Sequence, residues 1–305
     1  MHMSEQNRRP EPYIGVSGIV NSEQQEQIEA MADNLGLISL KRKLLLGVEA
    51  THKTQYNNEP NAFGSNYYPV GNEIRTAIAS KEDSNNPNTM RIVKLAVDTI
   101  HMADSEYRRN ITQSIFNRTD KWVDGVQFSK LPWHTNSEMI EYLESIKANY
   151  STKILLKVQE STMMELGANR LVDKLEDYAD IIDYLVLDSN SSAGRRFIDN
   201  SSLSEIDQPS FGVDRLSHFL HAVYKSRKLG SIGIALAGGL DSNVVSKGLG
   251  KIILDHPDLS WDGEDKLHPV IAERKTSRRP LNMKITEEYM KSSVELLKAN
   301  TYRQF

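Results

Sequence analysis

Two aspartates end apolar stretches of the chain, where a carboxylate could take part in acid–base chemistry. Asp188 closes the apolar run 184–188, and Asp262 closes a weaker run that begins at Leu259. A carboxylate at the end of a buried strand can give or take a proton at the site that the strand enters. Asp also caps loops, and the acidic residues that follow Asp262 are typical of a solvated loop. Residue type alone therefore leaves a catalytic and a structural role open for both.

A pair of glycines after another apolar run indicates an anion site. Residues 235–243 read Ala-Leu-Ala-Gly-Gly-Leu-Asp-Ser-Asn, which is a strand, a turn and the start of a helix. Gly238 and Gly239 would present backbone N–H groups at the positive end of the helix dipole, an arrangement that binds phosphate. The alternative is a tight turn that needs glycine only for its dihedral angles. We predict that this turn binds phosphate.

A second candidate for anion binding follows Asp188. Its sequence is Ser-Ser-Ala and then Gly194, Arg195 and Arg196. Small residues let backbone N–H groups approach an oxyanion, and guanidinium groups add donors and positive charge. We predict that Gly194 and Arg195 bind phosphate and that Arg196 binds the substrate. A flexible loop with solvated arginines is the alternative.

Two further polar residues interrupt apolar runs. Ser17 lies near the end of the first run, but no base is adjacent to it, so it would be a poor nucleophile. Lys157 could form a Schiff base if it were desolvated, although an ion pair with Asp188 is the simpler expectation. The histidines lack the spacing of a metal site and the chain has no cysteine. We therefore predict no metal and no cofactor.

The elements that must position these residues alternate between strands and helices. Short runs rich in Val, Ile and Leu are typical of parallel strands covered on both faces. Eight such strands, separated by helical patterns such as 22–35, 136–149, 171–178 and 286–299, favour a (β/α)8 barrel, the TIM-barrel fold, over a doubly wound sheet. The predicted strands are 13–20, 44–49, 92–96, 125–128, 154–158, 184–188, 232–237 and 259–262.

The sequence predicts one domain with two enlarged loops. Residues 1–12 are polar and are expected to form a disordered leader, and residues 13–305 are expected to form the barrel. Residues 50–75 after the second strand and 198–215 after the sixth are longer than ordinary connections. Loops after the strands lie on the active face of such barrels. They are therefore candidates for lids or substrate contacts, with surface elaboration as the alternative.

Charge and composition exclude several classes of partner. The formal net charge is −4 and the pI is about 6.1, so no global positive field attracts nucleic acid or an anionic membrane. No stretch has the 18 or more apolar residues that a membrane span requires. Without cysteines or a signal sequence, the chain is expected to be cytoplasmic and to act on a small phosphorylated substrate as a monomer or homodimer.

The strand-end motifs, taken in chain order, resemble those of phosphoribosylanthranilate isomerase, a (β/α)8 enzyme of tryptophan biosynthesis. Residues 236–244, Leu-Ala-Gly-Gly-Leu-Asp-Ser-Asn-Val, closely match the family's seventh-strand motif Leu-Ser/Ala-Gly-Gly-Leu-x-x-x-Asn-Val. Shorter matches are Gly-Val-Ser-Gly-Ile-Val-Asn at 15–21, Val-Gln at 126–127, Leu-Lys-Val at 156–158, Val-Leu-Asp at 186–188, Gly-Arg-Arg-Phe at 194–197 and Trp-Asp-Gly-Glu at 261–264. The resemblance covers residues 13–300.

This resemblance implies roles for the matching residues. Asp188 would be the general acid that helps to open the ribose ring of an N-linked phosphoribosyl amine, and Asp262 would be the acid of the last strand. Gly194, Gly238 and Gly239 would bind phosphate through backbone amides. Arg195 would take the place of a lysine in the family's phosphate loop. Gln127 and Lys157, in the fourth- and fifth-strand motifs, would bind the substrate.

Two departures from the family bear on the chemistry. The family's general base is a cysteine in the first strand, and here Ser17 occupies that position. A hydroxyl is far less acidic than a thiol, whose pKa is about 8.5, so Ser17 is a weak proton carrier at neutral pH. The family's arginine after the second strand is also absent, and His52 and Lys53 stand there instead.

Three functional hypotheses follow. The first is an isomerase that acts on a phosphorylated sugar or an N-phosphoribosyl compound by acid–base chemistry, with Asp188 as the acid and Ser17 or Asp262 as its partner. The second is a catalytically silent barrel that binds a phosphorylated ligand, which the departure at Ser17 would suit. The third is a lyase or epimerase on a substrate of the ribulose-phosphate type, with Lys157 as the reacting amine.

Overall fold

A computed structural model describes most of the chain. The described residues are 9–55, 57–59, 68–79, 86–96, 101–119, 122–188, 213–268 and 280–301. The predicted phosphate loop at 194–196 lies outside them, as does most of the predicted loop 198–215, whose last residues from Val213 already belong to a helix.

The strands form one closed parallel barrel, in which each strand pairs with its neighbours in chain order and the last pairs with the first. The prediction of a (β/α)8 barrel is therefore confirmed, and each predicted strand overlaps an observed one. The strands are β1 (Tyr13–Ser17), β2 (Lys43–Thr51), β3 (Thr89–Ala96), β4 (Gly125–Ser129), β5 (Lys153–Gln159), β6 (Tyr184–Asp188), β7 (Gly233–Ala237) and β8 (Ser260–Gly263).

Helices follow the strands and surround the barrel. Local signals decide where α1 begins and ends, because the Asn21 side chain accepts a hydrogen bond from the Gln24 N–H and Gly36 takes a left-handed conformation with φ of 74°. The described helices are α1 (Ser22–Leu35), α2 (His52–Gln55), α3 (Glu73–Ile78), α4 (Ser105–Thr119), α5 (Glu138–Tyr150), α6 (Glu160–Glu176), α7 (Val213–Lys225), α8 (Ser242–Asp255) and α9 (Met283–Thr301). None of these helices has the length and apolar character that crossing a bilayer requires.

The structure corrects two expectations, one about the leader and one about the loop after the second strand. Residues 9–12 were assigned to the leader, but they contact the N-terminal end of the barrel. The Arg9 guanidinium lies 4.5 Å from the Tyr224 ring centroid, and the Tyr184 hydroxyl donates to the Glu11 carbonyl at 2.7 Å. Within the predicted loop 50–75, β2 continues to Thr51, and α2 and the first residues of α3 are helical.

The barrel interior is divided into an apolar half and a polar half. Side chains of a strand alternate between the two faces of the sheet, so every second residue points inward. Toward the N-terminal ends of the strands, and on β7 as far as its last residue, these residues form one buried apolar cluster, namely Tyr13, Leu45, Met90, Ile92, Leu155, Tyr184, Val186, Ala235 and Ala237. Toward the C-terminal ends the same alternation brings polar and charged side chains inward.

Candidate active site

Seven of the eight strands contribute a polar inward residue near their C-terminal ends. We call this set the polar ring, and it consists of Ser17, Glu49, Lys94, Gln127, Lys157, Asp188 and Asp262, from β1, β2, β3, β4, β5, β6 and β8 respectively. Glu264, which directly follows β8, contacts two members of the ring. Catalytic groups of such barrels occupy the same end of the strands, so the ring is the candidate active site.

Lys94 is the centre of the network. Its ammonium lies 2.9 Å from Asp262 Oδ2, 2.6 Å from Glu264 Oε2 and 3.4 Å from Glu49 Oε1, and its side chain is fully buried. Burial alone would lower the pKa of Lys94, but the three carboxylates outweigh it and raise that pKa well above its ordinary value. Lys94 therefore remains charged at neutral pH.

Asp262 and Ser17 form a buried pair beside Lys94. The Ser17 hydroxyl lies 3.0 and 3.2 Å from the two carboxylate oxygens of Asp262 and donates to them. Burial raises the pKa of Asp262 despite the stabilising charge of Lys94. A neighbouring glycine makes room for this pair, because a Cβ on Gly15 would lie 2.7 Å from Asp262 Oδ1.

Burial favours the neutral form of Glu49. Its side chain is almost completely buried, and its Oε1 atom has no hydrogen-bond partner in the part of the chain that the structure describes. Burial, and then the negative charge of Glu264, raise the pKa of Glu49 to about 8. Glu49 is thus a carboxyl group that can donate a proton at pH 7.

A second ion pair joins β5 and β6. The Lys157 ammonium lies 2.5 Å from Asp188 Oδ2 and 3.8 Å from Glu264 Oε2. Burial would lower the pKa of Lys157, but Asp188 and Glu264 raise it above its ordinary value. Lys157 therefore has the role expected for a lysine paired with Asp188, and its protonated amine is not available as a Schiff-base nucleophile.

Gln127 differs from the other members of the ring. Its side chain is fully buried on β4, with Lys94 as its register partner on β3 and Leu155 on β5. Neither its amide nitrogen nor its amide oxygen has a hydrogen-bond partner among the described residues. Buried amides are nearly always paired, so this amide has bonding capacity left for a ligand.

The turn with Gly238 and Gly239 follows β7, which lies between the strands that carry Asp188 and Asp262. Asp188 and Asp262 are both register partners of Ala237, the last residue of β7, and Gly238 and Gly239 come next with φ of 94° and 66°. The turn leads into α8, whose N-cap Asp241 accepts a hydrogen bond from the Val244 N–H at 2.8 Å. These backbone angles favour glycine, and the turn leads directly to the N-terminus of α8, which is the positive end of its dipole.

The polar ring brings together most of the predicted site residues. Ser17 and Asp262 are in contact, and Lys157 and Asp188 are in contact. Gln127 lies in the same ring, and the turn with Gly238 and Gly239 stands beside it. Gly194, Arg195 and Arg196 lie outside the described residues.

Sequence analysis missed three charged residues of the site: Glu49, Lys94 and Glu264. Lys94 and Glu49 interrupt apolar strands, as in Ile-Val-Lys-Leu-Ala at 92–96 and Leu-Gly-Val-Glu at 46–49. The same signal had selected Lys157, because a charged residue in a strand covered on both faces must point into the barrel or be paired. Glu264 follows β8 and carried no such signal.

Comparison with known proteins supports the fold. No family model matches the chain, and no curated protein matches it. The phosphoribosyl anthranilate isomerase of Thermococcus kodakaraensis superposes with a TM-score of 0.52 at 14% identity, over 92% of this chain and 98% of that one. A structure of monomers generated from the dimeric phosphoribosylanthranilate isomerase of Thermotoga maritima gives 0.50 at 11% identity, over 92% and 98%. The resemblance inferred from the strand motifs is thus confirmed as one of architecture.

Proposed function

We propose that the protein is an isomerase that acts on a phosphorylated sugar or an N-phosphoribosyl compound by acid–base chemistry. The observation that carries the proposal is the placement of Asp188 and Asp262 on the two strands that flank β7, directly below the Gly238–Gly239 turn. Two strand spacings separate them, about 9–10 Å. A substrate whose phosphate is bound at the turn would therefore have its reacting carbons between two carboxyl groups.

The isomerisation needs two proton transfers. One group gives a proton to the ring oxygen as the ribose ring opens, and another removes a proton from the adjacent carbon. Asp188 is the proposed acid, and the Lys157 ammonium lies 2.5 Å from its Oδ2 atom. Asp262 is the proposed base, because its carboxylate is directed by Lys94 and its raised pKa makes it a stronger base than an ordinary aspartate.

The phosphate site is tested by a change at Gly239. Gly239→Asp is expected to abolish binding of inorganic phosphate, because a carboxylate would stand where the anion is expected. Gly239→Asn is the matched control, since asparagine has nearly the same size, tolerates a positive φ and carries no charge. Titration calorimetry measures binding, and circular dichroism checks that both variants fold. Equal affinities in the two variants would contradict a charge-based phosphate site at this turn.

The role of Ser17 is tested by two substitutions. Ser17→Ala is expected to lower kcat much less than loss of the acid Asp188, because the Asp262 carboxylate would remain to accept the proton. Ser17→Cys is expected to raise kcat, since a thiol transfers protons more readily at neutral pH. Turnover is measured on N-(5-phosphoribosyl)anthranilate and on pentose 5-phosphates. A hundredfold loss in Ser17→Ala would instead make Ser17 the proton carrier.

The same assay separates the proposal from a binding protein. The replacement of the family's cysteine by Ser17 favours this second candidate. Tight binding of a phosphorylated ligand, with no turnover in wild type or in any variant, would establish the binding protein and contradict the isomerase. Turnover of N-(5-phosphoribosyl)anthranilate would assign the enzyme to tryptophan biosynthesis.

A further inference from the structure

The side of the polar ring farthest from the glycine turn is formed by three neighbouring residues. Glu49, Lys94 and Gln127 are successive register partners on β2, β3 and β4. In a closed barrel of eight strands, β3 lies opposite β7. A ligand whose phosphate lies at the turn after β7 therefore directs its other end toward these three side chains.

This side of the ring has unused hydrogen-bonding capacity. The Gln127 amide offers a donor and an acceptor that have no hydrogen-bond partner in the described part of the chain. Glu49 Oε1 lies 3.4 Å from the Lys94 ammonium but also makes no hydrogen bond there. Both side chains are buried. Folded proteins pair nearly all of their buried polar groups, so these atoms are suited to a polar ligand that completes their hydrogen bonds.

The charges of the site limit what that ligand can be. Among the residues that the structure describes, four carboxyl groups, those of Glu49, Asp188, Asp262 and Glu264, face two ammonium groups, those of Lys94 and Lys157. Both ammonium groups already contact carboxylates. Burial and Glu264 raise the pKa of Glu49 to about 8, so an additional negative charge is already disfavoured at this position. A second anionic group of a ligand would be repelled here.

We propose that Gln127 and Glu49 bind the hydroxyl groups of a phosphorylated sugar or polyol whose end away from the phosphate carries no charge. Hydroxyl groups both donate and accept, as the amide and the carboxyl group require. The inference rests on the proposed function, because it takes the phosphate to be bound at the Gly238–Gly239 turn. It narrows the substrate class to compounds without a carboxylate at the far end, such as the pentose 5-phosphates, and excludes N-(5-phosphoribosyl)anthranilate, whose anthranilate group carries one.

Three ligands test the proposal by titration calorimetry at pH 7. They are inorganic phosphate, ribitol 5-phosphate and 5-phosphoribonate, which has the same carbon chain but ends in a carboxylate. Ribitol 5-phosphate is expected to bind at least about tenfold more tightly than phosphate, because its hydroxyl groups form hydrogen bonds that phosphate alone cannot form. It is also expected to bind more tightly than 5-phosphoribonate.

A pair of equivalent substitutions tests whether Gln127 binds the hydroxyl groups of the ligand. Gln127→Met keeps the length of the side chain and removes the amide, so the ratio of the affinities for ribitol 5-phosphate and phosphate should fall toward one. Its Tm should stay the same or rise, because no partner is left unpaired. The control is Gln55→Met, since the equally buried Gln55 amide donates to the Pro69 carbonyl at 2.8 Å. This control should lower the Tm and keep the affinity ratio.

The outcomes distinguish this inference from the function on which it rests. If wild type binds none of the three ligands, the proposed function is contradicted and the inference with it. If wild type binds phosphate but prefers 5-phosphoribonate, only the inference is overturned. An unchanged affinity ratio in Gln127→Met, with phosphate still bound, overturns it as well.

Discussion

Lys94→Met is expected to lower the free energy of unfolding by about 3–5 kcal/mol at neutral pH, the usual effect of removing one partner from a buried ion pair. Lys94 is the central cation of the polar ring, and among the described residues its loss leaves Asp262 with only the Ser17 hydroxyl and Glu49 without its ion pair. Urea unfolding measures the effect. The control is Lys43→Met, which breaks the more exposed ion pair with Glu11 at 3.3 Å and should cost about 1 kcal/mol or less.

The pH dependence of this loss has a definite sign. In Lys94→Met the folded-state pKa values of Asp262 and Glu49 should rise further above those of the unfolded chain, because burial already raises both. The folded variant then holds protons that the unfolded chain releases, so its stability falls as pH rises from about 4 toward 8. The free energy of unfolding of Lys94→Met should fall short of the wild-type value by less at pH 5 than at pH 8. A deficit independent of pH would indicate lost packing instead of unpaired charge.

Asp188→Asn is expected to lower kcat by about 100-fold or more, the scale for losing a general acid. The amide keeps the shape of the side chain but cannot give a proton to the substrate. The matched control is Asp183→Asn directly before the same strand, where Asp183 pairs with Lys147 at 3.3 Å. Steady-state kinetics on the substrate that wild type turns over should show a near-normal kcat for this control. Equal losses in both variants would exclude a specific role for Asp188 in the chemistry.

Features that depend on neighbouring residues were predictable from the sequence. Near-continuous apolar runs identified all eight strands, and β6 was predicted with its observed bounds. The bounds of α1 were also predicted, because Asn21 and Gln24 form a local cap that needs no distant partner. The glycine pair after β7 was identified by its position between a strand and a helix. Residues 9–12 were misassigned to the leader, since their contacts are with Tyr184 and Tyr224, far along the chain.

Only the tertiary structure showed which side chains form the site. Ser17 and Asp262 are 245 residues apart in the chain, and Lys94 and Asp262 are 168 apart. They meet because the barrel closes β8 onto β1 in a particular register, which no local pattern encodes. The raised pKa of Glu49, and the Gln127 amide that has no hydrogen-bond partner among the described residues, also arise from burial inside the closed barrel. The sequence alone determined the strands and the turn, whereas the closure of the barrel determined the charges and hydrogen bonds that a ligand would meet.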